Sequence, residues 1–172
     1  MTNPTRIAEA KLSLAITAAL AQLQARSGAI HRQASARGML KSGNTIVEIK
    51  SECVAALKTF GDLTAQELSW ALSHTFSANP ATVDQCNAIA NKCLLSLGSE
   101  CTEFLRKTVQ MCGDDRHFQI TEPDLRTQEQ QSLMAISLAL DTQYRELQFK
   151  RLRAAFGFLQ RLLQVVFRYG RG

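Results

Sequence analysis

The side chains best suited to chemistry in this sequence are five cysteines, four of which share one helix-compatible segment. They are Cys86, Cys93, Cys101 and Cys112. Successive members are 7, 8 and 11 residues apart, so a helix would carry them on nearly the same side. Neighbouring thiols would lie at least about 10 Å apart along the axis, whereas a zinc–sulfur bond is about 2.3 Å long. We therefore expect these cysteines to be small apolar residues in a helical core.

A second group of reactive side chains lies in the loop from Cys112 to His117, which contains a thiol, two carboxylates and an imidazole. This composition would suit a metal site or a cysteine–histidine pair. Aspartate after glycine is also ordinary at a helix end, and catalytic pairs usually come from residues distant in sequence. The sequence has no Gly-rich phosphate loop, no His-Glu-x-x-His and no nucleophile elbow. It predicts a protein that is not an enzyme, with no cofactor and no metal.

Positive charge is distributed unevenly along the chain, whose net charge is +5. Residues 10–47 contain five basic residues and no acid, and residues 145–172 contain seven basic residues against Glu146 alone. Residues 48–144 contain seven basic and thirteen acidic residues, which gives that segment a net charge of −6. Two interpretations remain open: the basic ends pack beside the acidic centre, or they face a polyanionic partner.

The basic residues near the C-terminus follow a helical pattern. Seven polar positions from Lys150 to Arg168 recur at spacings of three and four, which places them on a face about 100° wide. We expect the apolar side chains opposite them to be buried. The apolar face consists of Leu147, Phe149, Leu152, Phe156, Leu159, Leu163, Val166 and Phe167.

Helix signals occur along the whole chain. Asn3 and Pro4 start a first helix, which ends near Ser27-Gly28 or continues towards Arg37. The segment 27–44, rich in Ser, Gly and basic residues, is predicted to be a flexible basic connection. Asn79-Pro80 starts a helix that carries the cysteines and ends before Gly113.

Two capping boxes predict two further short helices. Thr45 with Glu48 precedes a helix over 46–60 that ends at Gly61, and Thr64 with Glu67 precedes a helix over 65–76. This adjacent pair has the lengths of a helix-turn-helix unit. Its second helix, however, contains no Arg or Lys to contact DNA.

The last helical stretch begins near Thr121 and Pro123 and could continue to Arg168. It would span roughly 68 Å, whereas a compact chain of this length is about 40 Å across. The stretch must therefore break, near Asp141-Thr142 or Gly157, or project and leave apolar surface that requires a second chain. The predicted fold is all-α, a single domain over 1–172 formed by a bundle of five to six helices with a long C-terminal helical stretch.

An odd number of cysteines in a chain large enough to fold without disulfides indicates reduced thiols and a cytoplasmic location. The alternative is secretion, because the apolar run from Leu12 to Ala21 resembles a signal peptide. No stretch has the 18 or more uncharged apolar residues of a transmembrane helix.

We predict a non-enzymatic interaction protein, an adaptor, regulator or inhibitor, that presents a basic surface to an acidic protein partner. One alternative is a nucleic-acid-binding protein that uses the same surface. Another is membrane-surface association through the C-terminal amphipathic helix, and homodimer formation also remains open. The predicted partner-binding residues are Arg26, Arg32, Arg37, Lys41, Lys150, Arg153, Arg161 and Arg168.

Overall fold

The computed structural model describes residues 3–75, 78–113 and 116–169, without the side chains of 116–117 and 158–169. Within these residues the chain forms four α-helices and no strand. The helices are α1 (Pro4–Ala36), α2 (Gly43–Ser73), α3 (Pro80–Cys112) and α4 (Arg116–Tyr169). The all-α prediction is confirmed. The predicted number of five to six helices is wrong.

The difference in number arises mainly in α2, which was predicted to be two helices separated at Gly61. The Thr64 hydroxyl donates to the Phe60 carbonyl at 2.8 Å within the helix, so it does not cap a new one. The carboxylate of Glu67 instead accepts a hydrogen bond from Lys11 of α1 at 2.8 Å. Gly61 is buried and lies against Ser132 of α4. In this fold, therefore, Gly61 and Glu67 make tertiary contacts instead of marking the end of one helix and the start of another.

The start of α2 also differs from the prediction. The helix begins at Gly43, after Ser42, so the predicted capping box of Thr45 and Glu48 lies inside its first turns. The Thr45 hydroxyl donates to the Met39 carbonyl at 3.2 Å and fastens the preceding connection to the helix. That connection is short, because α1 continues to Ala36 through part of the segment predicted to be flexible.

Three predicted helix ends are confirmed. The Asn3 side chain accepts a hydrogen bond from the Thr5 N–H at the start of α1. The Asn79 side chain does the same for Thr82 at the start of α3, with a proline as the next residue in both cases. Gly113 ends α3 with φ = 79°, a left-handed conformation that costs glycine little.

The helices alternate in direction along the bundle. Salt bridges from Lys11 to Glu67 (2.8 Å) and from Arg26 to Glu52 (2.9 Å) show that α1 and α2 are antiparallel. Helices α2 and α3 form the centre, with α1 on one side and α4 on the other, and in the described residues α1 does not pack against α4. The largest core side chains include Leu12, Leu57, Leu72, Leu94, Leu97, Leu105, Ile136 and Leu140.

Helix α4 begins at Arg116, before the predicted start, and includes Pro123. It then continues unbroken through 54 residues, about 81 Å. Arg151 donates from Nη1 to the Ala78 carbonyl at 3.0 Å, at the connection between α2 and α3. The bundle therefore ends near Arg151. Residues 152–169, which we call the α4 extension, continue about 27 Å beyond it.

Candidate interaction surface

The first basic segment lies at the end of the bundle where α1 leads into α2. Arg26 is paired with Glu52 at 2.9 Å, whereas Arg32, Arg37 and Lys41 are exposed and form no ion pair within the described residues. Burial lowers the pKa of nearby His31, and its Nε2 is buried without a hydrogen-bond partner there. The positive charge of this segment at neutral pH therefore comes from its arginines and lysine.

The second basic segment lies at the opposite end of the bundle. Lys150 and Arg153 are exposed on α4 beside the end of α2, and the 31 residues of α2 separate them from the first segment by about 46 Å. Arg161 and Arg168 are part of α4, but their side chains lie outside the described residues. The fold does not bring the two basic segments together in one chain.

Helix α4 carries a row of exposed apolar side chains, which we call the outer stripe. It consists of Met134, Leu138, Phe149, Leu152 and Phe156, which are 71%, 69%, 67%, 54% and 67% exposed. At 100° per residue the five positions fall within an arc of roughly 60°. The buried side chains of Leu125, Ile136 and Leu140 lie on the opposite side of the helix.

The outer stripe corrects a prediction. Phe149, Leu152 and Phe156 were expected to be buried, but Leu147 is the last of the described apolar side chains of α4 to pack against the core. The reason is that these residues lie on the side of α4 opposite the buried Ile136 and Leu140. Beyond Arg151, in addition, no other helix in the described part of the chain reaches α4. Met134 and Leu138 were not among the residues predicted to form the apolar face of the last helix. Their spacing of four residues nevertheless continues the same face towards the middle of α4.

Two opposite charges interrupt the outer stripe at its centre. Asp141 and Arg145 are one helical turn apart and both exposed, on the same side of α4 as Leu138 and Phe149. Neither forms an ion pair or hydrogen bond through its side chain to any described residue. The centre of the stripe thus offers one free carboxylate and one free guanidinium to a partner.

The cysteine stripe behaves as predicted for a helical core. Cys86, Cys93 and Cys101 are buried, Cys112 is half-buried, and all the cysteines are free thiols. Burial raises the pKa of Cys86 to about 11. Hydrogen bonding to the Cys53 thiol, followed by burial, raises the pKa of Cys101. A thiol with a raised pKa stays protonated at neutral pH and is a poor nucleophile.

The segment from Cys112 to His117 is described only in part, and its last two residues form the start of α4. The Cys112 thiol donates to the Leu40 carbonyl at 3.3 Å, while Asp114, Asp115 and the His117 side chain lie outside the described residues. Within residues 3–75, 78–113 and the described part of α4, no group of three or more His, Cys, Asp or Glu is arranged to hold a metal.

The helix pair considered for DNA binding does not exist as two helices. Its two members, 46–60 and 65–76, were to be joined by a turn at residues 61–63, which is instead a continuous part of α2. Gly61 and Thr64 face the core and are buried. This segment therefore cannot insert one helix into a DNA groove while the other crosses the backbone.

A polar groove lies between α3 and α4. The carboxylate of Glu129 lies against Gly98 in its lining. Burial raises the pKa of Glu129, although Arg126 opposes the effect. On the same groove, hydrogen bonding to Arg106 lowers the pKa of Glu103. The pKa values of two carboxyl groups in one groove are therefore shifted in opposite directions.

These shifts predict opposite effects of two matched substitutions. A carboxyl group with a raised pKa in the folded state contributes stability below its unfolded pKa and loses it as pH rises through the folded pKa. Glu129→Gln should therefore raise the urea midpoint at pH 7, and this gain should disappear below about pH 4. Glu103→Gln should lower the urea midpoint at pH 7, because it removes the carboxylate that is paired with Arg106. Equal effects of both at pH 7 would contradict this assignment.

No helix in the described part of the chain has a segment long and apolar enough to cross a membrane. No protein-family model matches the chain, and neither does any curated protein or solved structure.

Proposed function

We propose that this protein is a non-enzymatic interaction protein whose bundle holds α4 so that the outer stripe and the α4 extension bind an acidic protein partner. The observation that carries the proposal is the exposure of large apolar side chains on a helix that leaves its own core. Exposed apolar patches are typical of protein interfaces. The outer stripe provides two of them, one of Met134 and Leu138 and the other of Phe149, Leu152 and Phe156. An adaptor, regulator or inhibitor requires such a surface and no catalytic group.

Burial of the outer stripe would supply the main favourable free energy of binding. Full burial of a Leu, Met or Phe side chain contributes about 1.5–3 kcal/mol before the entropic cost of association. Phe149 and Phe156 are the largest members, and aromatic side chains are frequent anchors of protein interfaces. A helix laid into an apolar groove by such anchors is a common mode of recognition.

Charge favours an acidic partner. Residues 148–172 contain six basic residues and no Asp or Glu. Of the described bases of this segment, Arg153 lies beside the outer stripe, whereas Lys150 lies on nearly the opposite side of α4. An arginine beside the apolar stripe fits a partner groove with an apolar floor and an acidic rim, whose charges would also accelerate association. Nucleic acid fits less well, because phosphate contacts with the basic face would leave the apolar stripe in water.

The test is nuclease-treated affinity capture with the full-length chain, with quantitative comparison of matched variants. Leu152→Glu places a charge in the outer stripe, whereas the control Leu14→Glu alters a 73% exposed leucine on α1. We expect one or more acidic proteins to be captured by the wild type and the control and lost with Leu152→Glu. Identical capture by all three chains would contradict the proposal.

Two further measurements would replace the proposal by one of its alternatives. Material that is captured without nuclease and lost when nuclease is added would identify nucleic acid as the partner. Co-sedimentation with phosphatidylserine vesicles, but not with phosphatidylcholine vesicles, would instead identify a membrane surface if Leu152→Glu abolished it.

A further inference from the structure

We propose that the partner of α4 is a second copy of this chain, whose acidic residues 117–134 face the basic α4 extension. The two α4 helices pair antiparallel about a two-fold axis near residue 143. The inference rests on the proposed function, because it names the partner of the same surface. Three features of α4 support it: the order of its apolar residues, the charges at its centre and its length.

The apolar residues of the outer stripe are arranged almost symmetrically about residue 143. In an antiparallel pair centred there, residues whose numbers sum to 286 lie opposite each other. Met134 of one copy then faces Leu152 of the other, and Leu138 lies within one residue of facing Phe149. All four side chains are more than half exposed in the single chain. A two-fold axis forms each of these contacts twice, once in each half of the interface, and buries all four side chains of both copies.

The charges at the centre of the stripe obey the same symmetry. Asp141 of one copy lies opposite Arg145 of the other, since these two numbers also sum to 286. Both side chains are exposed and have no ionic partner among the described residues. A two-fold axis would form this ion pair twice, so the only charges that interrupt the stripe would neutralise each other across the interface.

The length of α4 explains how its extension would be covered. The helix runs from Arg116 to Tyr169, so its midpoint lies between residues 142 and 143. An antiparallel pair centred there overlaps along the whole helix, about 81 Å. The α4 extension of each copy, residues 152–169, then lies along residues 117–134 of the other, on the outer side of the partner's bundle.

Charge favours this antiparallel arrangement over a parallel one. The α4 extension contains three basic residues and no acid, whereas residues 117–134 contain three acidic residues and one arginine. Antiparallel pairing places a segment of net +3 against a segment of net −2. Parallel pairing would bring the two basic extensions together, where like charges repel. The acidic centre and basic end of the sequence thus complement each other between two copies.

A charge exchange tests the pairing on the full-length chain. Sedimentation equilibrium of the wild type should give twice the monomer mass of 19.0 kDa. Asp141→Arg and Arg145→Asp should each weaken dimerisation by about tenfold or more, because each places like charges opposite each other twice. The double variant Asp141→Arg with Arg145→Asp should restore the dissociation constant to within about threefold of the wild-type value. Circular dichroism verifies that every variant folds.

Lys58→Glu is the control, because Lys58 is exposed on α2 and forms no ion pair within the described residues. It should leave the dissociation constant unchanged. A wild-type mass of 19.0 kDa at all concentrations would overturn the inference, as would a dimer that either single charge variant leaves intact or that the double variant fails to restore.

The same measurements separate this inference from the proposed function. A monomer that still captures an acidic protein, and loses it with Leu152→Glu, would refute the dimer and support the docking role of α4. A monomer whose capture is unaffected by Leu152→Glu would refute both. A dimer whose charge variants behave as expected supports both, since the acidic residues 117–134 of the second copy are then the partner of the basic α4 extension.

Discussion

Replacement of Gly61 by valine is expected to lower the free energy of unfolding by about 3 kcal/mol, at the upper end of the usual cost of overpacking. A Cβ atom at this position would lie 2.7 Å from Ser132 Oγ and 2.8 Å from Ser132 Cβ. The serine Cβ is fixed to the backbone of α4 and cannot rotate away. The valine would therefore force α2 and α4 apart. The loss of stability is measured as a lower urea midpoint at a fixed protein concentration.

The control for this substitution is Gly157→Ala. Gly157 is also helical, but an added Cβ there meets no atom within 4 Å. Alanine should therefore stabilise the helix by up to about 1 kcal/mol, through its higher helix propensity. Ser132→Gly should recover part of the loss in the Gly61→Val chain, because it removes the atoms that clash. Wild-type stability of Gly61→Val would show that α2 and α4 are not in close contact at this level.

Replacement of Leu57 by alanine should lower the free energy of unfolding by about 2–5 kcal/mol. Leu57 is fully buried on α2, which packs against each of the other three helices. Loss of its side chain removes buried apolar area and leaves a cavity that close-packed long helices cannot readily close. Urea unfolding at fixed protein concentration measures the effect.

Leu14→Ala is the matched control, since Leu14 is 73% exposed on α1. The same chemical change should alter the free energy of unfolding by no more than about 0.5 kcal/mol. Similar losses for Leu57→Ala and Leu14→Ala would contradict the position of the core between α2 and its neighbours.

Much of the helical pattern was predictable from residues close together in sequence. The bounds of α3 follow from Asn79, Pro80 and Gly113, whose effects on backbone hydrogen bonding and φ are local. The buried cysteines were predictable for a similar reason, because a spacing of seven or eight residues marks one side of any helix. These predictions needed no knowledge of the neighbouring helices.

The wrong prediction of two helices in place of α2 could not have been avoided from the sequence alone. Thr64 and Glu67 form a good capping motif, and glycine commonly ends a helix. In the fold, however, Gly61 permits the close approach of α4, while Glu67 pairs with Lys11 of α1. Both roles depend on residues more than 50 positions away, so no local pattern distinguishes them from a cap.

The candidate surface was predictable in part. The sequence predicted that the last helix is basic on one face and apolar on the other, and it left open whether that helix breaks or projects. It could not show that Phe149, Leu152 and Phe156 face water. Their exposure depends on which side of α4 packs against the other helices and on where the bundle ends. The end of the bundle is set by the lengths of α2 and α3 and by the contact of Arg151 with Ala78.

The sequence by itself determined the all-α class, the bounds of α3 and the separation of charge between centre and ends, because helix periodicity, capping and charge are properties of nearby residues. Only the tertiary structure decided that the two basic segments lie at opposite ends and that α4 leaves the bundle with its outer stripe uncovered. The physical reason is that burial is a relation between helices. A side chain is buried only where another helix is long enough to reach it.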